Sequence, residues 1–239
     1  MSFIIVATGL QREAQIIARS GVEVIACGGH RDTLGKRLDH DIRQKRPIGL
    51  MSIGIAGALA PGLAVGDVVV ANDVEGDECD TVWTRQILGL LRSPDTDTAD
   101  SLPLTKRGRE HLVVGPRRVV GDNIVASARG KAALFEFTGG VSIDMESDIV
   151  AQAALQFELP FAVIRVISDT ASQTLPAAAC VPLKPDGGVD LPRVLESVAR
   201  HPLQIPALIR TARDANLALK TLLRRLDELG PGLGCPYLG

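Results

Sequence analysis

The sequence predicts an α/β fold, a single-domain three-layer sandwich with a mixed, mostly parallel central sheet flanked by helices. Short β-branched runs alternate with segments of helical period, a pattern typical of strands joined by crossover helices. The run Phe161 to Ile167 (FAVIRVI) is apolar on both faces except at Arg165, which indicates a central strand covered on both sides. The 239 residues suffice for a sizeable core, and we expect one domain over residues 1–239.

Composition argues against several other classes of protein. Hydrophobic residues make up 46% of the chain and the formal net charge is −2, which disfavours a disordered chain and a nucleic-acid-binding protein. The four cysteines form no CxxC pair, so neither a metal site nor a disulfide framework is expected. The first residues lack a signal-peptide pattern, and no apolar run reaches the length of a membrane span, so we expect a cytoplasmic protein.

The order of elements follows from these patterns. Strands are predicted at Phe3 to Ala7, Val22 to Cys27, Ile48 to Ile53, Val68 to Ala71, Val119 to Asp122, Gly140 to Ile143 and Phe161 to Ile167. Helices are predicted from about Gln11, from Asp144 to Leu159, and at Thr84 to Leu91, Ala126 to Phe135, Leu191 to Arg200 and Gln204 to Leu229. The small residues from Gly54 to Leu59 are interpreted as a tight turn against which a flat ligand can lie.

The stretch from Val141 to Ser172 carries the clearest functional signal. Its helix has one apolar stripe, with Asp144 as the expected N-cap and Glu146 in the first turn. Asp169 closes the buried strand that follows. Because ligands bind at the carboxyl ends of strands in open α/β sheets, we expect Glu146 and Asp169 on one edge of the sheet. Glu13 is a third acid at a strand-to-helix junction, although an acid there also simply favours a helix start.

Three segments resemble the nucleoside phosphorylase/hydrolase superfamily, especially its methylthioadenosine/adenosylhomocysteine nucleosidases. They are TGLQREA around Glu13, GIAGALAPGLAVGDVVVAN from Gly54 to Asn72, and IDMESDIVAQAALQFELPFAVIRVISDTA. The segment LPAAACVPLKPDGGVDLP and the basic C-terminal helix are most similar to the subgroup of hopanoid-associated phosphorylases. That subgroup is linked to the removal of adenine from adenosylhopane, a triterpenoid lipid intermediate. The resemblance implies a nucleoside phosphorylase-like fold and cleavage of the N-glycosidic bond of a purine nucleoside.

The resemblance also implies a role for each matching residue. Asp169 would hydrogen-bond the purine N7 and protonate the departing base, and Glu13 would activate the attacking water. Glu146 would bind the ribose hydroxyls while Met145 packs against the sugar. The other expected substrate contacts are Ala56, Gly57, Ile124, Val125 and Ser168. We expect no metal and no cofactor, with phosphate as a co-substrate only if the enzyme is a phosphorylase.

The sequence departs from the family pattern at two places. The usual Glu-Met-Glu is Asp144-Met145-Glu146, and the GDPxR phosphate motif of the phosphorylases is missing. Arg12 and Arg31 are the candidates to replace it, although Arg31 also fits a solvated loop. With Glu13 present, hydrolysis by water is favoured over phosphorolysis. Arg165 is expected to be structural and to pair with a nearby acid, because a charge inside a buried strand needs a partner.

Several alternatives remain open from the sequence. One is a methylthioadenosine/adenosylhomocysteine nucleosidase, another a phosphate-dependent purine nucleoside phosphorylase, and a third a nucleoside-binding protein without catalysis. The expected partners are a nucleoside and further copies of the chain, a homo-oligomer with a dimer as first expectation. No nucleic acid and no integral membrane segment are expected. The apolar patch Ile87 to Leu91 and the basic C-terminal helix suggest a peripheral membrane contact that admits an apolar 5′ substituent.

Overall fold

The computed structural model describes residues 2–91, 113–121 and 124–238. Its described strands are β1 Ile4–Thr8, β2 Val22–Ala26, β3 Leu50–Ala58, β4 Val68–Val74, β5 Asp77–Glu78, β6 Val113–Gly121, β7 Ser142–Asp144 and β8 Phe161–Asp169. Its described helices are α1 Gln11–Ile17, α2 Arg31–Lys45, α3 Thr81–Leu91, α4 Ala128–Thr138, α5 Ser147–Phe157, α6 Leu191–Arg200 and α7 Ile205–Leu229. Short 3₁₀ turns occupy Ala177–Cys180 and Pro202–Gln204.

The sheet is mixed and mostly parallel, as predicted. Parallel pairs join β1 to β2 and β3, β3 to β8, and β6 to β4 and β7. Antiparallel pairs join β3 to β7 and β4 to β5 and β8. The strands β3, β7, β6, β4 and β8 therefore form a closed circuit, and β1 and β2 extend the sheet beyond β3.

Helices cover both faces of this sheet. One hydrophobic cluster contains residues of α2 and α5, including Leu38 and Val150. The other contains residues of α1, α3 and α7, including Ile17, Trp83 and Leu222. The predicted three-layer arrangement of helices, sheet and helices is thus confirmed. Among the described helices, none combines the length and the apolar character needed to cross a bilayer.

Three local predictions were wrong. The residues from Gly54 to Ala58 are not a turn, because β3 continues through them, pairing with β8 as far as Gly57 with a register shift after Ala56, and with β7 at Gly57 and Ala58. Helix α2 was not predicted, and Arg31 begins it instead of lying in a loop. The patch at Ile87 to Leu91 is not an exposed apolar surface, since Ile87, Leu88 and Leu91 are buried and Leu90 alone among its large side chains is exposed.

Two predicted features lie outside the described residues. One is the polar run SPDTDTADS at 93–101, part of the stretch from Asp73 to Arg118 that the sequence predicts to be an excursion over one end of the sheet. The other is the end of the strand predicted at Val119 to Asp122, of which β6 includes the part up to Gly121.

Candidate active site

The candidate site lies at a gap in the sheet along β3. Strand β1 pairs with β3 only as far as Ser52, and β7 pairs with it only at Gly57 and Ala58. Because β1 runs parallel to β3 and β7 runs antiparallel to it, the carboxyl ends of both strands point into this gap from opposite directions. Ligands of open α/β sheets bind at such switch points. The far side of β3 is covered by β8 from Leu50 to Gly57.

Glu13 reaches β3 at this gap. The backbone N–H of Ile55 donates to Glu13 Oε1 at 2.7 Å, so the carboxylate occupies the place of a neighbouring strand. The N–H of Leu10 donates to Oε2 at 2.7 Å and the Thr8 hydroxyl donates to the same oxygen. Burial raises the pKa of Glu13 above its usual value, although these three hydrogen bonds and the charge of Arg165 act in the opposite direction. Glu13 is therefore fixed in position and poised to accept a proton.

Glu146 enters the gap from the carboxyl side of β7. A Cβ atom on Gly9 would lie 2.9 Å from Glu146 Oε1, so only glycine at position 9 allows this close approach. Burial, followed by the negative charge of Asp144, raises the pKa of Glu146 to about 8, while Arg165 lowers it. Met145 beside it packs against Gly29, where a Cβ would lie 2.4 Å from Met145 Cε.

Asp144 is not the N-cap that the sequence predicted. Strand β7 includes Asp144, and α5 begins at Ser147 with Glu146 as its N-cap residue. The Asp144 carboxylate nevertheless accepts hydrogen bonds from the N–H groups of Glu146 and Ser147, both at 2.8 Å. It thereby holds the turn that presents Glu146.

Arg165 pairs with Asp144 as the sequence predicted, with Arg165 Nη2 2.8 Å from Asp144 Oδ1. The same nitrogen donates to the hydroxyl groups of Ser52 and Ser147. Arg165 Nη1 has no hydrogen-bond partner among the described residues. A Cβ on Gly54 would lie 3.0 Å from this Nη1 and 2.8 Å from Glu13 Oε1. Arg165 and Glu13 thus border the same small space, a function of Arg165 that the sequence analysis missed.

Asp169 lies across β3 from Glu146. It ends β8, is buried, and is paired in register with Gly57, on which a Cβ would lie 3.2 Å from Asp169 Oδ1. The Ser168 hydroxyl lies 2.9 Å from Asp169 Oδ2 and 3.1 Å from the carbonyl oxygen of Ala56. The two acids do not share one sheet edge as predicted, because β7 runs antiparallel to β3 whereas β8 runs parallel to it.

A buried lysine that the sequence analysis did not single out accompanies Asp169. Lys131 of α4 is 1% exposed and its ammonium forms an ion pair with Asp169 Oδ1. The carbonyl oxygens of Thr170 and Gln173 accept from the same nitrogen at 3.0 and 3.1 Å. Helical periodicity alone gives no signal for this residue, since its partners are 38 to 42 positions away.

Ile124 and Val125 are less directly connected to the acids. Ile124 is 44% exposed, and Val125 packs against a small cluster formed by Leu59, Val120 and Ile143. Their assignment as purine contacts stays a prediction.

The two arginines considered for phosphate are engaged elsewhere. Arg31 forms an ion pair with Asp148, with Nη1 2.9 Å from Asp148 Oδ1. Arg12 donates to the side chain of Asn216 at 2.9 Å. Neither contact involves Glu13, Glu146 or Asp169.

The segment that follows β8 crosses the ends of β1 and β2. The N–H of Gln11 donates to the carbonyl oxygen of Gly187 at 3.0 Å, and His30 Nε2 lies 3.0 Å from the carbonyl oxygen of Leu183. Gly28 has a φ of 59°, and a Cβ there would lie 2.1 Å from the carbonyl oxygen of Lys184. This glycine therefore lets the segment lie directly on the loop after β2.

Residues 16–180, more than half of the chain, match the model of the phosphorylase superfamily. The chain belongs to this superfamily. It is 28% identical over 143 residues to the 5'-methylthioadenosine/S-adenosylhomocysteine nucleosidase of Shewanella sediminis, a match that covers 56% of this chain and 62% of that protein. The match thus spans less than two thirds of that relative's length.

Solved structures share the superfamily fold over nearly the whole chain. The nucleosidase of the same name from S. pneumoniae, with a transition-state inhibitor, gives a TM-score of 0.54 at 18% identity, covering 94% of this chain and 99% of that one. The futalosine hydrolase of Helicobacter pylori gives 0.57 at 15% identity, covering 94% and 98%. At these identities the likeness concerns the fold.

Proposed function

We propose that the protein is a purine nucleosidase that cleaves the N-glycosidic bond of an adenine nucleoside with water. The observation that carries the proposal is the placement of three buried carboxylates, Glu13, Glu146 and Asp169, around the side-chain-poor part of β3 from Gly54 to Gly57. The similarity to methylthioadenosine/adenosylhomocysteine nucleosidases supports the same chemistry.

Each carboxylate meets a different need of the reaction. Breaking the glycosidic bond leaves an oxocarbenium-like sugar and a purine that must gain a proton. Asp169 donates this proton to N7, and the ionised Glu146 binds the ribose hydroxyls and stabilises the positive charge on the ring. Glu13 takes a proton from the attacking water, which lies in the space that Glu13 shares with Arg165 Nη1. No metal or cofactor takes part in these steps.

Water is favoured over phosphate as the nucleophile. Arg31 and Arg12 are engaged with Asp148 and Asn216, which supports hydrolysis. Glu13 lies where a base for water is needed, and a second negative group such as phosphate would meet repulsion from its carboxylate.

The finer proposal is that the substrate is adenosylhopane, on the resemblance to the hopanoid-associated phosphorylases. The segment crossing β1 and β2 leads into α6, which has no buried residue. Exposed apolar side chains continue from there into α7, namely Leu191, Leu195, Leu203, Ile205 and Ile209. This apolar band supports a substrate with a large apolar 5′ group, presented at a membrane surface or by a second copy of the chain.

A panel of substrates tests both the proposed nucleosidase reaction and the proposed lipid substrate. We expect release of adenine from adenosylhopane and from methylthioadenosine without phosphate, with adenosylhopane the better substrate and inosine the poorest. Chromatography of the base and the sugar measures the products. Release that requires phosphate and yields ribose 1-phosphate would establish the phosphorylase alternative. A preference for methylthioadenosine would remove the lipid substrate while retaining the nucleosidase.

The variant Asp169→Asn separates catalysis from nucleoside binding. We expect turnover to fall by about 100- to 10,000-fold because the proton donor is lost, with the circular dichroism spectrum unchanged. Unchanged turnover would exclude Asp169 as the acid. Binding of nucleosides by the wild-type protein without turnover of any of them would favour the non-catalytic alternative.

A further inference from the structure

Lys131 is a fully buried cation whose donors are all used within the protein. An ammonium group has three N–H donors, and Asp169 Oδ1 and the carbonyl oxygens of Thr170 and Gln173 accept all three. The side chain is 1% exposed. No donor is left for a ligand, so Lys131 can affect a substrate only through Asp169.

The burial of the Lys131 ammonium costs free energy, which indicates that the charge serves a function. Taking a lysine charge out of water is costly, and a whole buried ion pair can often be replaced by apolar side chains of similar volume without loss of stability. Helix α4 has exposed and half-buried positions around Lys131, and its N-cap is the Ser127 hydroxyl, which accepts from the N–H of Gly130. Helix α4 itself therefore has no need of a charge at position 131.

The surroundings of Asp169 give its two oxygens different properties. Oδ1 accepts from the Lys131 ammonium and is thereby kept as an acceptor. Oδ2 faces the Ser168 hydroxyl, which has a single proton and two neighbouring acceptors, Oδ2 at 2.9 Å and the carbonyl oxygen of Ala56 at 3.1 Å. When Ser168 donates to Ala56, Oδ2 is the oxygen that can carry an acid proton.

We propose that Lys131 is a positioning residue for the proton donor of the reaction, directing the transferable proton of Asp169 to Oδ2 and stabilising the carboxylate that remains. The proposal rests on the proposed function of the same site. In the step, the electron pair of the C1′–N9 bond passes to the purine and the proton passes from Asp169 Oδ2 to N7. Asp169 is left as a carboxylate beside the Lys131 ammonium. Because the ammonium attracts a carboxylate more strongly than a neutral carboxyl group, it favours the transition state, in which the carboxylate develops, over the bound substrate.

Other titratable groups near the pair are few among the described residues. Cys180, on the 3₁₀ turn packed beside it, has a pKa raised by burial and by Asp169 and lowered by Lys131. Asp214 of α7 accepts a hydrogen bond from Gln173 at 3.4 Å. Arg129 lies exposed on α4. Cys180 is therefore the neighbouring residue that a control variant must exclude as the source of any pH effect on activity.

The test compares two variants of Lys131. Lys131→Met removes both the positive charge and the N–H donors, whereas Lys131→Gln removes the charge but keeps an N–H donor. Lys131→Gln also provides the measurement if Lys131→Met does not fold. We expect the maximal kcat of the pH profile to fall at least 10-fold in both variants, with KM changed less than about threefold. The loss of activity at high pH should move upward in both variants, because removal of the ammonium disfavours the ionised carboxylate. Arg129→Met and Cys180→Ser serve as controls and should keep the wild-type profile.

The outcomes separate this proposal from the proposed function. Variants with wild-type kcat and an unshifted pH profile would reduce Lys131 to a structural residue. If the wild-type protein cleaves no purine nucleoside, the proposed function fails, and calorimetric binding of free adenine then decides about Lys131. The pH at which adenine binding weakens should be higher for Lys131→Gln than for the wild type. An identical pH dependence of adenine binding in the two proteins would overturn the proposal.

Discussion

Glu146 is a buried acid of the site whose pKa is raised into the ordinary working range of pH. Burial and the neighbouring Asp144 raise its pKa to about 8, and Arg165 offsets only part of this. A neutral carboxyl group there stabilises a positively charged sugar poorly. The ionised, active form is therefore present above a pH of about 8 and is lost as the pH falls below it.

We accordingly expect kcat/KM to rise with pH through about 8, since this ratio reports groups of the free enzyme. In Glu146→Gln that rise should disappear, and the plateau should fall by about 100-fold. Initial rates over a pH series measure both effects. Glu158→Gln, at the exposed end of α5, is the matched control and should behave as the wild type. A rise that persists in Glu146→Gln would assign it to another group.

At this scale the sequence pointed to the three acids and to Arg165, but not to Lys131. Glu13, Glu146 and Asp169 follow predicted strands and match family motifs, so a local pattern identifies them. Lys131 lies in a short helix where a lysine ordinarily faces solvent, and its burial depends on contacts 38 to 42 residues away. Its pairing with Asp169 became evident only from the tertiary structure.

Strand β3 makes the site possible because Gly54 and Gly57 leave room for the acids that approach it. At Gly54, a Cβ would lie 2.8 Å from Glu13 Oε1 and 3.0 Å from Arg165 Nη1. Distances below 3.0 Å cannot be accommodated without movement of one of these groups. Glu13 and Arg165 are each held by several hydrogen bonds, so the added methyl group would instead occupy the space proposed for the attacking water.

Gly54→Ala should therefore lower kcat by about 100-fold, the effect of displacing a reacting group by about 1 Å. Its thermal stability should fall as well, because the buried groups lose their geometry. Gly89→Ala is the control, since Gly89 is exposed in α3 and no atom of the described residues lies within 4 Å of its added Cβ. It should leave kcat unchanged and stabilise the fold by up to about 1 kcal/mol. Wild-type kinetics in Gly54→Ala would mean that water attacks from elsewhere.

The same strand shows why element boundaries were partly wrong. Small residues at Gly54 to Ala58 favour a turn over a strand by local propensity. Pairing with β8, more than 100 residues later in the chain, keeps them extended. The alternation of strand-like and helical segments was enough to predict the strand up to Ile53. Its continuation beyond Ile53 depends on pairing with β8, which lies too far along the chain for a local sequence pattern to include it.

At the scale of the whole molecule, the sequence predicted the layers but not the closed circuit of strands. Buried runs and amphipathic helices indicate a covered sheet wherever they occur. The circuit closes through the antiparallel pairing of β8 with β4, and the site opens where β1 stops and β7 approaches from the other direction. Both features are set by strand direction, which composition and periodicity do not encode.

This topology places the candidate site and the buried Trp83 at opposite ends of the sheet. Trp83 is fully buried and lies against Gly49, just before β3 begins, whereas Gly57 and Asp169 lie at the other ends of β3 and β8. Its indole N–H donates to the carbonyl oxygen of Leu233 at 3.1 Å and thereby ties α3 to the end of the chain. Stability and catalysis should therefore respond differently to its loss.

Trp83→Ala should lower the free energy of unfolding by about 3–5 kcal/mol, from the cavity and the lost hydrogen bond. Below the unfolding transition its kcat should remain within about twofold of the wild type, because the gap along β3 does not include this end of the sheet. Urea unfolding and initial rates at low temperature measure the two quantities. Val82→Ala, half-exposed on the same helix, should change stability by less than about 0.5 kcal/mol. A folded Trp83→Ala with a large loss of kcat would show that the two ends of the sheet are coupled.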